Sequence, residues 1–186
     1  MLKQILLATG LLLLTACASD PEQVNISTAP VKLVPKYSNT TVSLTSRDIR
    51  DANYLIAIHK IGDPAKLINN QSSLAKLAEM SLQQGWQQQG LVFDPQAEVA
   101  INLEVRVARI DVQQDAFEYM AESDLVLILS VENEGQTLTK QFSRASTLTG
   151  AFNPSIPELE AKFSQQLSLL LTDIFEDQQV NEYLTR

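Results

Sequence analysis

The stretch Val99, Ala100, Ile101, Asn102, Leu103, Glu104, Val105, Arg106, Val107, Ala108 decides the fold. Its apolar side chains recur at every second place. Successive side chains of a strand point to opposite faces, so the run predicts a strand with one face buried and the other in water. One-sided burial is the habit of antiparallel sheets rather than of parallel sheets sandwiched between helices. After Arg109 the apolar phase slips to Ile110 and Val112, which requires a β-bulge or a change of partner there. Downstream, Leu125 to Val131 is apolar at nearly every place and predicts a central strand. Asn133, Glu134 and Gly135 predict a hairpin turn into a polar strand from about Thr137 to Thr149. Upstream, Val42 and Leu44 alternate with Thr41, Ser43 and Thr45, and Tyr54 to Ile61 predicts a second strand that Gly62, Asp63 and Pro64 end.

Two segments carry the helical period instead. Leu74, Leu77, Ala78, Leu82 and Trp86 share one side of a helical wheel, with Lys76, Glu79, Gln83 and Gln87 on the other, predicting an amphipathic helix from about Ser72 to Gln89 that Gly90 stops. Gly85 lies near the apolar stripe, where a missing side chain admits close packing against a sheet. Ser155 and Glu158 stand at capping-box spacing, with Pro157 tolerated in the first turn. They open a second helix whose Ile156, Leu159, Phe163, Leu167, Leu170, Leu171 and Ile174 lie on one face; the acidic tail from Glu176 predicts a short, partly frayed helix. The resulting order is ββαβββα. It predicts a single α+β domain with a mostly antiparallel sheet and both helices packed on one face.

The chain has 186 residues, 45% of them hydrophobic and 19% charged, which suits one ordinary globular domain. Its net charge is −8, and −9 once the segment carrying Lys3 is removed. No run of Lys or Arg supplies the basic face that a phosphate backbone requires, so nucleic acid is excluded as a partner. The same charge disfavours adsorption to anionic lipid, so attachment to a membrane has to be covalent.

Residues 1–16 read as a signal peptide: Lys3 provides the positive start, and Ile5 to Leu14 is an apolar stretch of about ten residues, too short to span a bilayer. Leu14, Thr15, Ala16 and Cys17 close it, and this run resembles the lipobox of bacterial lipoproteins. The resemblance implies cleavage before Cys17, a thioether-linked diacylglycerol on its sulfur and an acyl chain on its new amino group, an attachment that is effectively permanent. By the same resemblance, Ala18 in place of an aspartate points to sorting to the outer membrane, facing the periplasm. Cys17 is the only cysteine, so the domain has no disulfide. Residues 17–40 contain Pro21, Pro30 and Pro35 among Ser, Thr and Asn. They read as a flexible tether, with at most a short edge strand around Val31 to Val34, reaching about 60 Å and holding the domain of residues 41–186 clear of the membrane.

The residues of chemistry are sparse. His59 is the only histidine, and a satisfied structural role outweighs that of base or metal ligand, since no nucleophile or second ligand has recognisable spacing near it. Asp48, Asp51, Asp63 and Asp94 include no carboxylate pair that the sequence marks as catalytic. Trp86 reads as a core anchor. No catalytic residue, metal site or cofactor is expected. The charged run Ser46 to Asp51 is the most unusual surface stretch: either a solvated turn with local Arg–carboxylate pairs, or a polar docking site made by Arg47, Asp48, Arg50 and Asp51.

The lipobox at Cys17, Val42, Ser43 and Leu44 with the charged run after them, and Arg144, Ala145 and Ser146 leading to Gly150, Ala151 and Phe152 together resemble the YajG family of gammaproteobacterial lipoproteins over nearly the whole chain. The resemblance implies localisation and fold and transfers no catalytic residue. The function expected is that of a non-enzymatic outer-membrane lipoprotein that docks to or assists another envelope protein. The alternative is a carrier of a small apolar or glycan ligand between sheet and helices, and the third is an envelope hydrolase.

Overall fold

A computed structural model describes residues 22–38 and 40–185. Cys17 and the signal peptide lie outside the described residues. Three long strands form a meander: β6 (Val99–Gln114), β7 (Glu118–Asn133) and β8 (Gln136–Ala151). Each alternates in burial along its length, and from Tyr119 to Asn133 every odd-numbered side chain of β7 is buried. Glu134 and Gly135, at φ 51° and 72°, make the expected hairpin turn. Both central residues of a type I′ turn need positive φ, so the glycine is in place.

The remaining strands make the sheet mixed. β2 (Thr41–Asp48) and β3 (Tyr54–Lys60) both pair parallel with β6, one after the other along the same side. Only the β3–β4, β6–β7 and β7–β8 ladders are antiparallel. A parallel pair needs a crossover rather than a hairpin, and α1 (Leu74–Gln89), lying between β3 and β6 in the chain, is that crossover. Three strands escaped the sequence pattern: β1 (Gln23–Val24), parallel to β4 (Lys66–Asn70), and β5 (Val92–Phe93), beside the start of β2. The phase slip in β6 is a bulge, and it falls at Arg106 rather than after Arg109. Val105 pairs with Leu127 and Val107 with Val126, which leaves Arg106 without a partner and moves the buried set from Ile101, Leu103 and Val105 to Ala108, Ile110 and Val112.

All helices lie on one face of the sheet. Ser73 caps α1 by accepting from the Lys76 N–H, and Gly90 closes it at φ 103°. Ser155 caps α2 (Ile156–Glu176) by accepting from the Glu158 N–H. Trp86 is fully buried and meets Phe175 of α2 edge to face at 5.8 Å. The same phenylalanine ring rests on Gly85, so the missing side chain admits α2 and not the sheet. The acidic tail is no frayed end: α3 (Gln178–Leu184) is capped by Asp177, and its Val180 and Leu184 are completely buried.

Residues 22–37 are not a tether. Val24 and Ile26 are buried, and the segment runs as a strap in the groove between α1 and α2. Its alternate N–H groups step down α2: Asn25 donates to the Glu160 carboxylate at 3.0 Å, Ser27 to Ser164 Oγ at 3.2 Å and Ala29 to Ser168 Oγ at 2.9 Å. Two residues of strand advance about 6.6 Å and four residues of helix about 6 Å, so the two repeats stay in register. Thr28 meets Ser81 of α1 on the other side at 2.8 Å, and the Lys36 and Tyr37 N–H groups both donate to the Gln89 carbonyl at 2.8 Å. Pro30 and Pro35 suit such a strap, which pairs through side chains of its neighbours. The short strand of this region is Gln23–Val24, and Val31 to Val34 form none.

Candidate functional site

The charged run after β2 occupies the point where β2 stops and β3 begins beside β6. There the Arg50 side chain, 9% exposed, donates to the carbonyls of Tyr54 and Ala108 at 3.4 and 3.2 Å and grips the Asp48 carboxylate with Nε and Nη2. Burial alone would raise the Asp48 carboxyl, but the hydrogen bonds and charge of Arg50 outweigh it and hold the group below the usual carboxylate range. Arg50 and Asp48 thus close a seam in the sheet. Arg47 lies on the opposite face against Glu104, its side chain 72% exposed, and Asp51 is exposed in the loop. The four residues proposed for docking therefore divide into two that hold the sheet and two that face solvent.

Among the described residues nothing covers the face away from the helices. Along β8 it presents Thr137, Thr139, Gln141, Ser143, Ala145, Thr147 and Thr149, all exposed. Beside them Val126 and Ile128 of β7 are half-buried, and Arg109 of β6 reaches Asp111 and Asp124 at 3.2 Å each. On β8 itself, the motif Arg144, Ala145, Ser146 ties the strand to α2 from the other face. Arg144 forks onto Asp173 at 2.9 and 2.8 Å, its carbonyl accepts from the buried Gln166, and Ser146 meets Ser123, which donates to Gln166. The planar guanidinium suits that bidentate grip. Gly150 lies under the Tyr119 ring, where a side chain would overlap it.

His59 is at the rim rather than in the core. Its imidazole is 44% exposed, with Nε2 3.9 Å from Asp111. It lines an open groove of about 490 Å³ at one end of the sheet, together with Lys60, Ile61, Gln114, Tyr119, Met120 and other residues of the β6–β7 hairpin. Burial, then the Glu158 charge, raises the Tyr119 phenol. None of Asp48, Asp51, Asp63 and Asp94 lines that groove: Asp63 lies 3.9 Å from Lys60, and Asp94 accepts from the Gln96 N–H in a turn. Asp115 does line it, but its Oδ1 is occupied by the N–H groups of Phe117 and Glu118, which hold it below the usual carboxylate range. Among the described residues no His, Cys, Asp and Glu cluster has the spacing to hold a metal ion. Between sheet and helices, beside Ile110, Leu148, Leu159 and Phe163, the free space is about 10 Å³. Small-molecule pockets start at about 300 Å³, so this space is too small to be one.

An α+β domain with a one-sided helical layer, a packed core and an uncovered sheet face is the class these observations define. The chain belongs to the family described as an uncharacterized lipoprotein, whose model matches residues 27–185. It is 24% identical over 190 residues to the uncharacterized lipoprotein YajG of Escherichia coli K12, covering 99% of this chain and 97% of the relative. The same protein from E. coli O6:H1 matches equally. The fold is also that of a Xanthomonas campestris protein of the DUF330 family, whose crystal structure superposes with a TM-score of 0.52 at 13% identity, covering 89% of this chain and 94% of that one. No helix among the described residues is long and apolar enough to cross a membrane.

Proposed function

We propose that the chain is exported, cleaved before Cys17 and lipidated there. It is then held at the outer membrane facing the periplasm, where its domain docks to another envelope component without catalysing a reaction. The anchor is supported by the run Leu14 to Cys17 and by membership of a lipoprotein family, and the outward sorting by Ala18. The observation that carries docking is the uncovered sheet face. Helices and strap occupy the other face only, and among the described residues no strand lies on the outer side of β8, sixteen residues long. An open edge of that length is a ready template for a partner's backbone. Arg47 and Asp51 remain the polar contacts of such a dock, while Asp48 and Arg50 hold the seam beneath it.

Photo-crosslinking in living cells tests this, with probes at Arg47, Val126 and Thr139 and a control at Lys162 on the helical side. One envelope protein captured from the first three positions, and lost in Cys17→Ser, is the expected result. Capture from Lys162 alone, or a carboxylate substitution that abolishes turnover of a cell-wall substrate, would contradict it.

A further inference from the structure

Ile61, Phe117 and Phe152 are 87%, 77% and 63% exposed, and all three stand at the same end of the sheet, joined by Met120. There β3 and β6 finish, β7 begins and β8 ends. The backbone that carries the two phenylalanines is fixed by specific bonds. The Asp115 carboxylate accepts from the N–H groups of Phe117 and Glu118 and shapes the hairpin tip. Phe152 donates its N–H to the Phe117 carbonyl at 2.7 Å with its own φ at 63°, and Gln114 donates to Asn153 just beyond. A bulky residue in the left-handed region costs energy and persists only where its surroundings impose it. Three large apolar side chains held out at one end mark a contact surface, because solitary exposure would leave their hydrophobic contribution unused.

The path of the chain identifies what lies there. β1 is parallel to β4, β4 is antiparallel to β3, and β3 is parallel to β6, so the chain enters β1 from the end that carries Ile61, Phe117 and Phe152. Glu22, the first described residue, is paired with Lys66 at the start of β4. Five residue steps separate Glu22 from Cys17, a reach of at most about 17 Å. The opposite end of the sheet lies about 30 Å or more away in the other direction. From Glu22, a lipid on Cys17 can therefore reach the apolar end of the sheet and cannot reach the opposite end.

We propose that this end is the membrane-facing surface of the domain, with Ile61, Phe117 and Phe152 entering the boundary between headgroups and acyl chains of the bilayer that holds the lipid. The inference rests on the lipidation of Cys17 proposed above. Because lipid consumes the only native thiol, single cysteines placed elsewhere can be labelled uniquely. Full-length lipidated protein is reconstituted in phosphatidylethanolamine–phosphatidylglycerol vesicles, with an environment-sensitive dye on Ile61→Cys, Phe117→Cys or Phe152→Cys. Gln96→Cys at the far end and Thr139→Cys on the open sheet face serve as controls. Acyl-chain nitroxide lipids are expected to reduce emission at the first three by about twofold or more and to leave the controls unchanged. Quenching at Thr139 with none at Phe117 would mean that the sheet lies flat on the bilayer and would overturn the proposal. So would dyes at Phe117 and Phe152 as wet as that at Gln96, on protein whose mass shows the lipid present. An unmodified Cys17 by mass would overturn the anchored reading itself.

Discussion

Where β2 ends and β3 begins, the guanidinium of Arg50 replaces the missing ladder with bonds to two carbonyls and to Asp48. Removing it leaves those acceptors and a carboxylate partly buried, so Arg50→Ala should lower stability by about 2–4 kcal/mol in urea denaturation, with Arg50→Lys recovering only part because a point charge cannot replace the planar fork. Arg47→Ala, at an exposed pair, should stay within about 0.5 kcal/mol. Equal effects of the two would contradict the seam. The sequence marked this run as charged and unusual, but it could not separate Arg50 from Arg47, since the carbonyl of Ala108 that distinguishes them comes fifty-eight residues later. A second test is alkaline. Burial pushes the Tyr37 phenol from 10.0 up to about 12, and its hydroxyl bonds to Asn181 of α3. The unfolded phenol ionises first, so the stability associated with this shift is full below pH 10 and is lost as pH rises through about 12. Tyr37→Phe should flatten that alkaline loss, and an unchanged pH profile would argue against a buried phenol.

Among the elements, α1, α2 and the meander were legible because each repeats one period over many residues, and their caps Ser155 and Gly90 sit where the sequence placed them. β4 was not legible. Its five residues, Lys66 to Asn70, bury only Ile68, too little to form an alternation. The strap was misread for a related reason: prolines and hydroxyl residues resemble a linker, and its ladder is supplied by Glu160, Ser164 and Ser168, which look like the polar face of an ordinary helix. Ile26 separates the two readings. In a tether Ile26→Ala would be neutral, whereas in the strap, where it is 2% exposed, the change should cost about 2–4 kcal/mol. Gly85 makes the matching test for the helix pair. Alanine improves helix propensity by about 1 kcal/mol, yet its methyl would overlap the Phe175 ring. Gly85→Ala is therefore expected to destabilise by about 1–3 kcal/mol, and a stabilised variant would show that α1 and α2 do not meet there.

At the scale of the molecule, the strap changes how the domain stands on its anchor. A free segment of about twenty residues would let the domain drift some 60 Å from the bilayer and turn any face toward it. On the proposed anchoring at Cys17, with residues 22–37 laid between the helices, the leash would shorten to the few residues before Glu22, which enters β1 from the direction of the apolar end. In the orientation we propose, the open face and the β8 edge would stand upright beside the membrane, accessible to an envelope partner. The sequence identified the lipoprotein class and the α+β domain, because the lipobox and the long strands are local signals. The membrane-facing end proposed above follows from the parallel pairing of β1 with β4, contacts forty-six residues apart that no local period records. Backbone hydrogen exchange on the full chain measures the strap directly. The amides of Asn25, Ser27, Ala29, Lys36 and Tyr37 should exchange slowly, with protection approaching that of α2 to which the strap is bound. Exchange of all five at the rate of an unstructured chain would contradict the strap, and with it the short leash and the orientation that follows.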